Sequence, residues 1–154
     1  MIPPAIAVFR KCWSLPWHDR MLVLETVLWL GVASFAIAIL PFRHVGRLAG
    51  IPIRRPELPS QTRLTEVRRI RWAVVASARR VPWNALCFQQ GLAAQFMLQR
   101  RGIPSVLFYG AAPDGQTGVS AHVWVRDGGI DVIGGEIASR FAVLATFPPQ
   151  KGSS

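Results

Sequence analysis

The chain is poor in cysteine, histidine and acid. Its two cysteines, Cys12 and Cys87, lie in unrelated contexts without a CxxC spacing, which excludes a disulfide framework or a zinc ribbon and makes a reducing compartment the default setting. Only three histidines are present, His18, His44 and His122, so imidazole chemistry has few positions to choose from. Eight acidic residues face 18 basic ones, mostly arginine, for a formal net charge of +10. That surplus suits an acidic partner, an anionic membrane face or nucleic acid. Nucleic acid is the weakest of these, because neither an aromatic stacking platform nor a known motif accompanies the charge. Internal repeats and low-complexity tracts are absent, and 154 residues suit one domain with a single core.

What the chain does have is one long apolar run, "LVLETVLWLGVASFAIAILPF" from Leu22 to Phe42, with Glu25 as its only charge. It approaches the length of a membrane span. Its position after "WHDR" and before "PFRHVGR" is wrong for a secretory signal. Two readings remain: a helix buried in the core, or one associated with a membrane, in which case Arg43 and Arg47 would keep the following portion cytoplasmic. Residues 48–62, "LAGIPIRRPELPSQT", hold three prolines and no sustained period, and read as a linker. This divides the chain into an N-terminal apolar segment with linker, 1–62, and a chemistry-bearing part, 63–154.

In that second part, Val67, Ile70, Val74, Ala78 and Val81 recur at helical spacing, with Thr65 as an expected N-cap and Pro82 as a stop. Arginines fill the remaining faces, either as a solvated surface or as a surface for an acidic peptide. A second helix is bounded by Asn84 as N-cap and by Gly102 and Pro104, which puts Cys87 at its third position. The segments "SVLFYG", "AHVWVR", "IDVIG" and "FAVLATF" then read as strands, with Asp127, Gly128 and Gly129 forming a hairpin turn. The expected class is α+β: helices, then an antiparallel sheet on which a central helix packs.

A cysteine in the first turn of a helix feels the positive end of the helix dipole and open backbone N–H groups, both of which favour thiolate. Gly91, Ala94 and Leu98 follow on the same face, and the small residues near the sulfur would let a sheet approach. His18 and His44 flank the apolar run, which leaves His122 as the base. Alternation puts His122, Trp124 and Arg126 on one strand face and Val123 and Val125 on the other. An acid that orients the imidazole must come from Asp114, Asp127, Asp131 or Glu136. Asp131 shares the face of His122 for a two- or four-residue hairpin loop, whereas a three-residue loop favours Glu136. The backbone N–H of Cys87 is an expected oxyanion donor; the Trp83 indole is a second candidate that also reads as packing. Cys12 reads as incidental, and no metal site is suggested.

With these blocks in the order Cys, His, Asp, the chain resembles the transglutaminase-like papain fold, and more closely the lasso-peptide leader peptidases. These are the cysteine-protease half of the split B protein, related to the microcin J25 processing protein. The resemblance is carried by "LETVLWLGVASFAIAILPFRHVGRLAG", "VPWNALCFQQGLAAQFMLQRRGIPSVLFYG", "SAHVWVRDGG" and "EIASRFAVLATF". Phe88 and Val123 stand where that family usually has Leu and Ala. The resemblance implies a peptidase that frees a core peptide from its leader before a separate cyclase closes a macrolactam. It implies a separate leader-binding recognition protein, no cofactor for the chemistry itself, an open question of nucleotide dependence, and a cytoplasmic location, including the inner face of the membrane. The alternatives are acyl transfer of the transglutaminase type at the same site, or a non-catalytic membrane-associated scaffold.

Overall fold

A computed structural model describes residues 15–50, 60–116 and 118–149. Cys12 and the proline-rich centre of the expected linker, 51–59, lie outside the described residues. The elements run α1 (Trp17–Ile39), α2 (Phe42–Ala49), α3 (Ser60–Ala78), α4 (Cys87–Arg100), β1 (Val106–Asp114), β2 (Gly118–Asp127), β3 (Ile130–Ile133), a 3₁₀ helix (Gly135–Arg140) and β4 (Ala142–Phe147). The four strands form one antiparallel sheet in the order β3-β2-β1-β4, so the expected α+β class holds.

The apolar run is a 23-residue helix, long enough to cross a membrane. It nevertheless buries Leu22, Thr26, Leu30 and Ala33, one helical stripe, against α3 and α4. Thr26 sits in this seam, its hydroxyl bonded to the Leu22 carbonyl at 2.7 Å. The opposite stripe is also apolar and stays open, with Leu28 64% and Phe35 66% exposed. One face of the run is therefore core, and the other is an exposed apolar surface among the described residues.

Beside Thr26, Arg101 donates to both oxygens of Glu25 at 3.0 and 2.7 Å and to Glu66 at 3.2 Å, joining α1, α3 and the end of α4. Burial pushes the Glu25 carboxyl up, but the hydrogen bond and charge of Arg101, with help from Arg100, outweigh burial and hold it below its ordinary value. α4 itself ends as expected. Gly102 has φ 70°, and its N–H and that of Ile103 donate back to the Gln99 and Leu98 carbonyls, both at 3.0 Å. Buried Gln95 ties this helix to the sheet, its amide N–H groups donating to the carbonyls of Ala49, Ser105 and Phe147 while Ser105 Oγ donates to its oxygen.

Several local expectations need correction. Thr65 does not cap α3, which begins at Ser60; the Thr65 hydroxyl instead donates to the Gln61 carbonyl within the helix. The helix stops at Ala78, one turn ahead of Pro82. Three of the arginines on α3 are engaged in ion pairs, although Arg69 and Arg71 remain partly exposed. Arg63 makes a two-point ion pair with Asp127, Arg69 bonds Asp19 and Glu66, and Arg71 bonds Glu136 and the Asp131 carbonyl. They fasten α3 to α1 and to the β2–β3 hairpin.

Of these, the Arg63–Asp127 pair matters most, because the Asp127 side chain is fully buried. A carboxylate taken out of water is tolerated only when a cation and hydrogen bonds replace the lost hydration. Replacing one partner strands the other. Arg63→Ala is expected to lower stability by about 3 kcal/mol, measured by chemical denaturation, and Arg63→Met with Asp127→Leu should regain most of the loss. A change below about 0.5 kcal/mol for Arg63→Ala would show that the pair does not hold the hairpin.

Candidate active site

Cys87 is the first residue of α4, not its third: the helix opens after Leu86, which has extended backbone, φ −74° and ψ −179°, and no side chain caps the helix start. Asn84 is therefore not the cap. The chain is held away from helical geometry by packing, since Ala85 and Trp83 join Leu30 and Ala93 in a small apolar cluster. Cys87 is a free, half-buried thiol at an uncapped helix start. Trp83 lies in the packing cluster, and its indole N–H has no protein acceptor.

The seam between α4 and β2 is as close as the glycine suggested. A side chain at Gly91, one turn after Cys87, would begin 2.6 Å from Val123 Cγ1. Val123 and Val125 face the helix as part of the main core. His122, one residue before Val123, points to the other face of β2 with Trp124. There Trp124 stacks on Phe108, and the imidazole lies beside Trp124 and Phe141. The connection from β3 to β4 crosses this outer face as the 3₁₀ helix, because β4 lies at the far edge of the sheet. Cys87 opens the helix that packs on one face of β2, whereas His122 stands on the other face of that strand, and among the described residues no hydrogen bond joins them.

The imidazole has one polar partner: His122 Nε2 is 2.8 Å from the carbonyl of Gly134. A carbonyl only accepts, so Nε2 is the donor, and in the neutral tautomer that makes this bond the free lone pair is on Nδ1.

The expected acids go elsewhere. Asp127 pairs with Ile130 across a two-residue turn, Gly128–Gly129, which puts Asp131 opposite Arg126; the register shifts only beyond that pair, where Val125 meets Ile133. Asp131 does lie on the His122 side of the hairpin. It is, however, four residues along β2 from His122, about 13 Å at the strand rise, and its carboxylate takes the Arg126 guanidinium. Glu136, on the 3₁₀ helix, takes Arg71. Asp114 accepts from the Gln116 N–H. Among the described residues neither Asp131 nor Glu136 is hydrogen-bonded to His122, whose Nε2 is bonded to the Gly134 carbonyl. Sequence reasoning missed Gly134 because it searched for acidic side chains; the Gly134–Gly135 pair closing β3 was the available signal.

Residues 28–146 match the family described as the transglutaminase-like superfamily. The chain belongs to this superfamily. No curated protein and no solved structure matches it. The superfamily includes cysteine peptidases and acyltransferases, typically cysteine-based enzymes. In this transglutaminase-like chain the matched span begins inside α1 and ends inside β4, so it takes in both Cys87 and His122. Among the described residues no cluster of His, Cys, Asp or Glu could hold a metal ion.

The α4–β2 seam is directly testable. Gly91→Ala should push β2 outward and lower stability by about 1–3 kcal/mol. Adding Val123→Ala should return about 1 kcal/mol or more of that loss. Strictly additive denaturation energies would mean that the two positions do not share a contact.

Proposed function

We propose that this transglutaminase-like protein is a cysteine peptidase that cleaves the leader from a ribosomally made lasso-peptide precursor before macrolactam formation. The observation that carries the thiol chemistry is Cys87, the first residue of an uncapped helix in a chain of a superfamily of cysteine-based enzymes. The finer assignment to leader removal is supported by the resemblance of the Cys87 and His122 blocks to the leader peptidases.

In this reading the Cys87 thiol gives its proton to His122 Nδ1, and the sulfur attacks the scissile carbonyl to form a C–S bond. The backbone N–H of Cys87, at the open helix start, steadies the developing oxyanion. The C–N bond then breaks, and the His122 proton passes to the leaving amine of the core peptide. Water, deprotonated by the same imidazole, hydrolyses the thioester and restores the thiol. Each turnover consumes one water. His122 and Val123 alternate across β2, so in this reading the imidazole must meet the sulfur around the edge of the strand.

The partners in this proposal are the precursor, a separate leader-binding recognition protein and the cyclase that uses the freed amine. The reaction is placed in the cytoplasm. The open apolar face of α1 is then available to the recognition protein or to the inner face of the membrane.

The test is incubation of wild type, Cys87→Ala and His122→Ala with a lasso precursor and its recognition protein, followed by mass spectrometry. Wild type alone should release leader and core whose masses sum to the precursor plus one water. The variants should lose about 10³-fold or more in rate. A product lacking that water, with the acyl group on an added amine, would convert the reading to acyl transfer. Equal activity of the Cys87→Ala protein would leave a non-catalytic scaffold.

A further inference from the structure

We infer that the main-chain carbonyl of Gly134 does the work that a triad assigns to an acid: it holds the Nε2–H of His122 and presents Nδ1 as the base for Cys87. The inference rests on the proposed pairing of Cys87 with His122. It makes Gly134 a positioning residue, acting through the ring and not on the substrate.

The geometry that supports it is local and complete. His122 Nε2 and Gly134 O are 2.8 Å apart, within ordinary hydrogen-bond length. Phe141 and Trp124 flank the ring with centroids 5.1 and 6.1 Å away, so the imidazole is held by one polar contact and two aromatic ones. The charged groups around this face are already engaged, Arg126 with Asp131 and Arg71 with Glu136.

Gly134 is also the residue that the chain path requires. It has φ 73°, a left-handed conformation that costs a side chain about 1 kcal/mol. A Cβ there would stand 2.6 Å from the Val123 carbonyl oxygen and 3.2 Å from Trp124 Cα. The chain leaving β3 therefore presses its backbone against β2 beside His122, and only glycine permits that approach. What the approach delivers to the imidazole is a carbonyl oxygen.

The substitution has a chemical consequence. Hydrogen bonds with an ionised partner are roughly twice as strong as neutral ones, so a carbonyl stabilises the imidazolium less than a carboxylate would. The thiol–imidazole pair then relies more on the helix start for its thiolate than on a charged acid behind the ring.

The test uses the full chain and reads the rate of Cys87 alkylation by iodoacetamide against pH, together with leader release. Asp131→Asn and Glu136→Gln should each keep the wild-type pH profile and stay within about threefold in both rates. Removal of a true orienting carboxylate costs up to about 10⁴-fold in turnover. Gly134→Ala, if folded by circular dichroism, should lose the His122-dependent part of the profile and match His122→Ala.

The ¹⁵N imidazole spectrum of the wild-type protein gives an independent reading that survives a Gly134→Ala protein that does not fold. At a pH where His122 is neutral, its proton should be on Nε2. A proton on Nδ1, an Asp131→Asn or Glu136→Gln profile that matches His122→Ala, or a folded Gly134→Ala protein with the wild-type profile would each overturn the assignment. Failure of the underlying function would look different: wild type and His122→Ala would then alkylate identically at every pH, while the ¹⁵N spectrum would still report which nitrogen is protonated.

Discussion

Asp127 is a carboxylate with no exposure to water, and the placement of everything around the hairpin follows from what satisfies it. Arg63 reaches across from α3 to meet it at two points. Because the pair sits where β2 ends, it pins the start of the Gly128–Gly129 turn to the helical layer. The turn sets the register of β3 and so puts Asp131 opposite Arg126. The chain that emerges from β3 then passes His122 as main chain, at Gly134. A buried ion pair adds little to stability against a well-packed apolar substitute, but it is severe toward mispairing. Here it ties the end of β2, where the turn begins, to α3.

The helical side of the site follows a different rule, that of close packing. Gly91 lets α4 lie against Val123, and Gln95 answers carbonyls from α2, β1 and β4 with one buried amide. Cys87 is carried at the end of this packed helix by its position in the chain, not by bonds of its own. His122 is carried by the outer face of the same strand that packs on the helix. In the proposed function, nucleophile and base would thus come from two layers, the helix and the sheet.

Much of this was legible in the residues. Alternation marked the four strands, Gly102 marked the end of α4, and the Gly128–Gly129 dipeptide marked the turn, because each depends on chemistry within a few positions. The starts of α3 and α4 were not. Asn84 and Thr65 are good capping residues by type, yet packing of Trp83 and Ala85 delays one helix and an earlier start absorbs the other. The arginines of α3 looked like a surface because their acidic partners are 50 to 65 residues away in sequence. The partner of His122 was hidden for a further reason: every residue carries a carbonyl, so no residue type announces one that matters.

The measurement that bears most directly on this account is a crystal structure of the protein with a leader-derived peptide aldehyde. The account predicts a thiohemiacetal on Cys87 Sγ, with His122 Nδ1 within hydrogen-bond reach of the sulfur or the new hydroxyl, about 3 Å, and Nε2 still on the Gly134 carbonyl. A bound peptide that leaves Cys87 unmodified, or an imidazole that stays on the far side of β2 from the captured carbonyl, would contradict it.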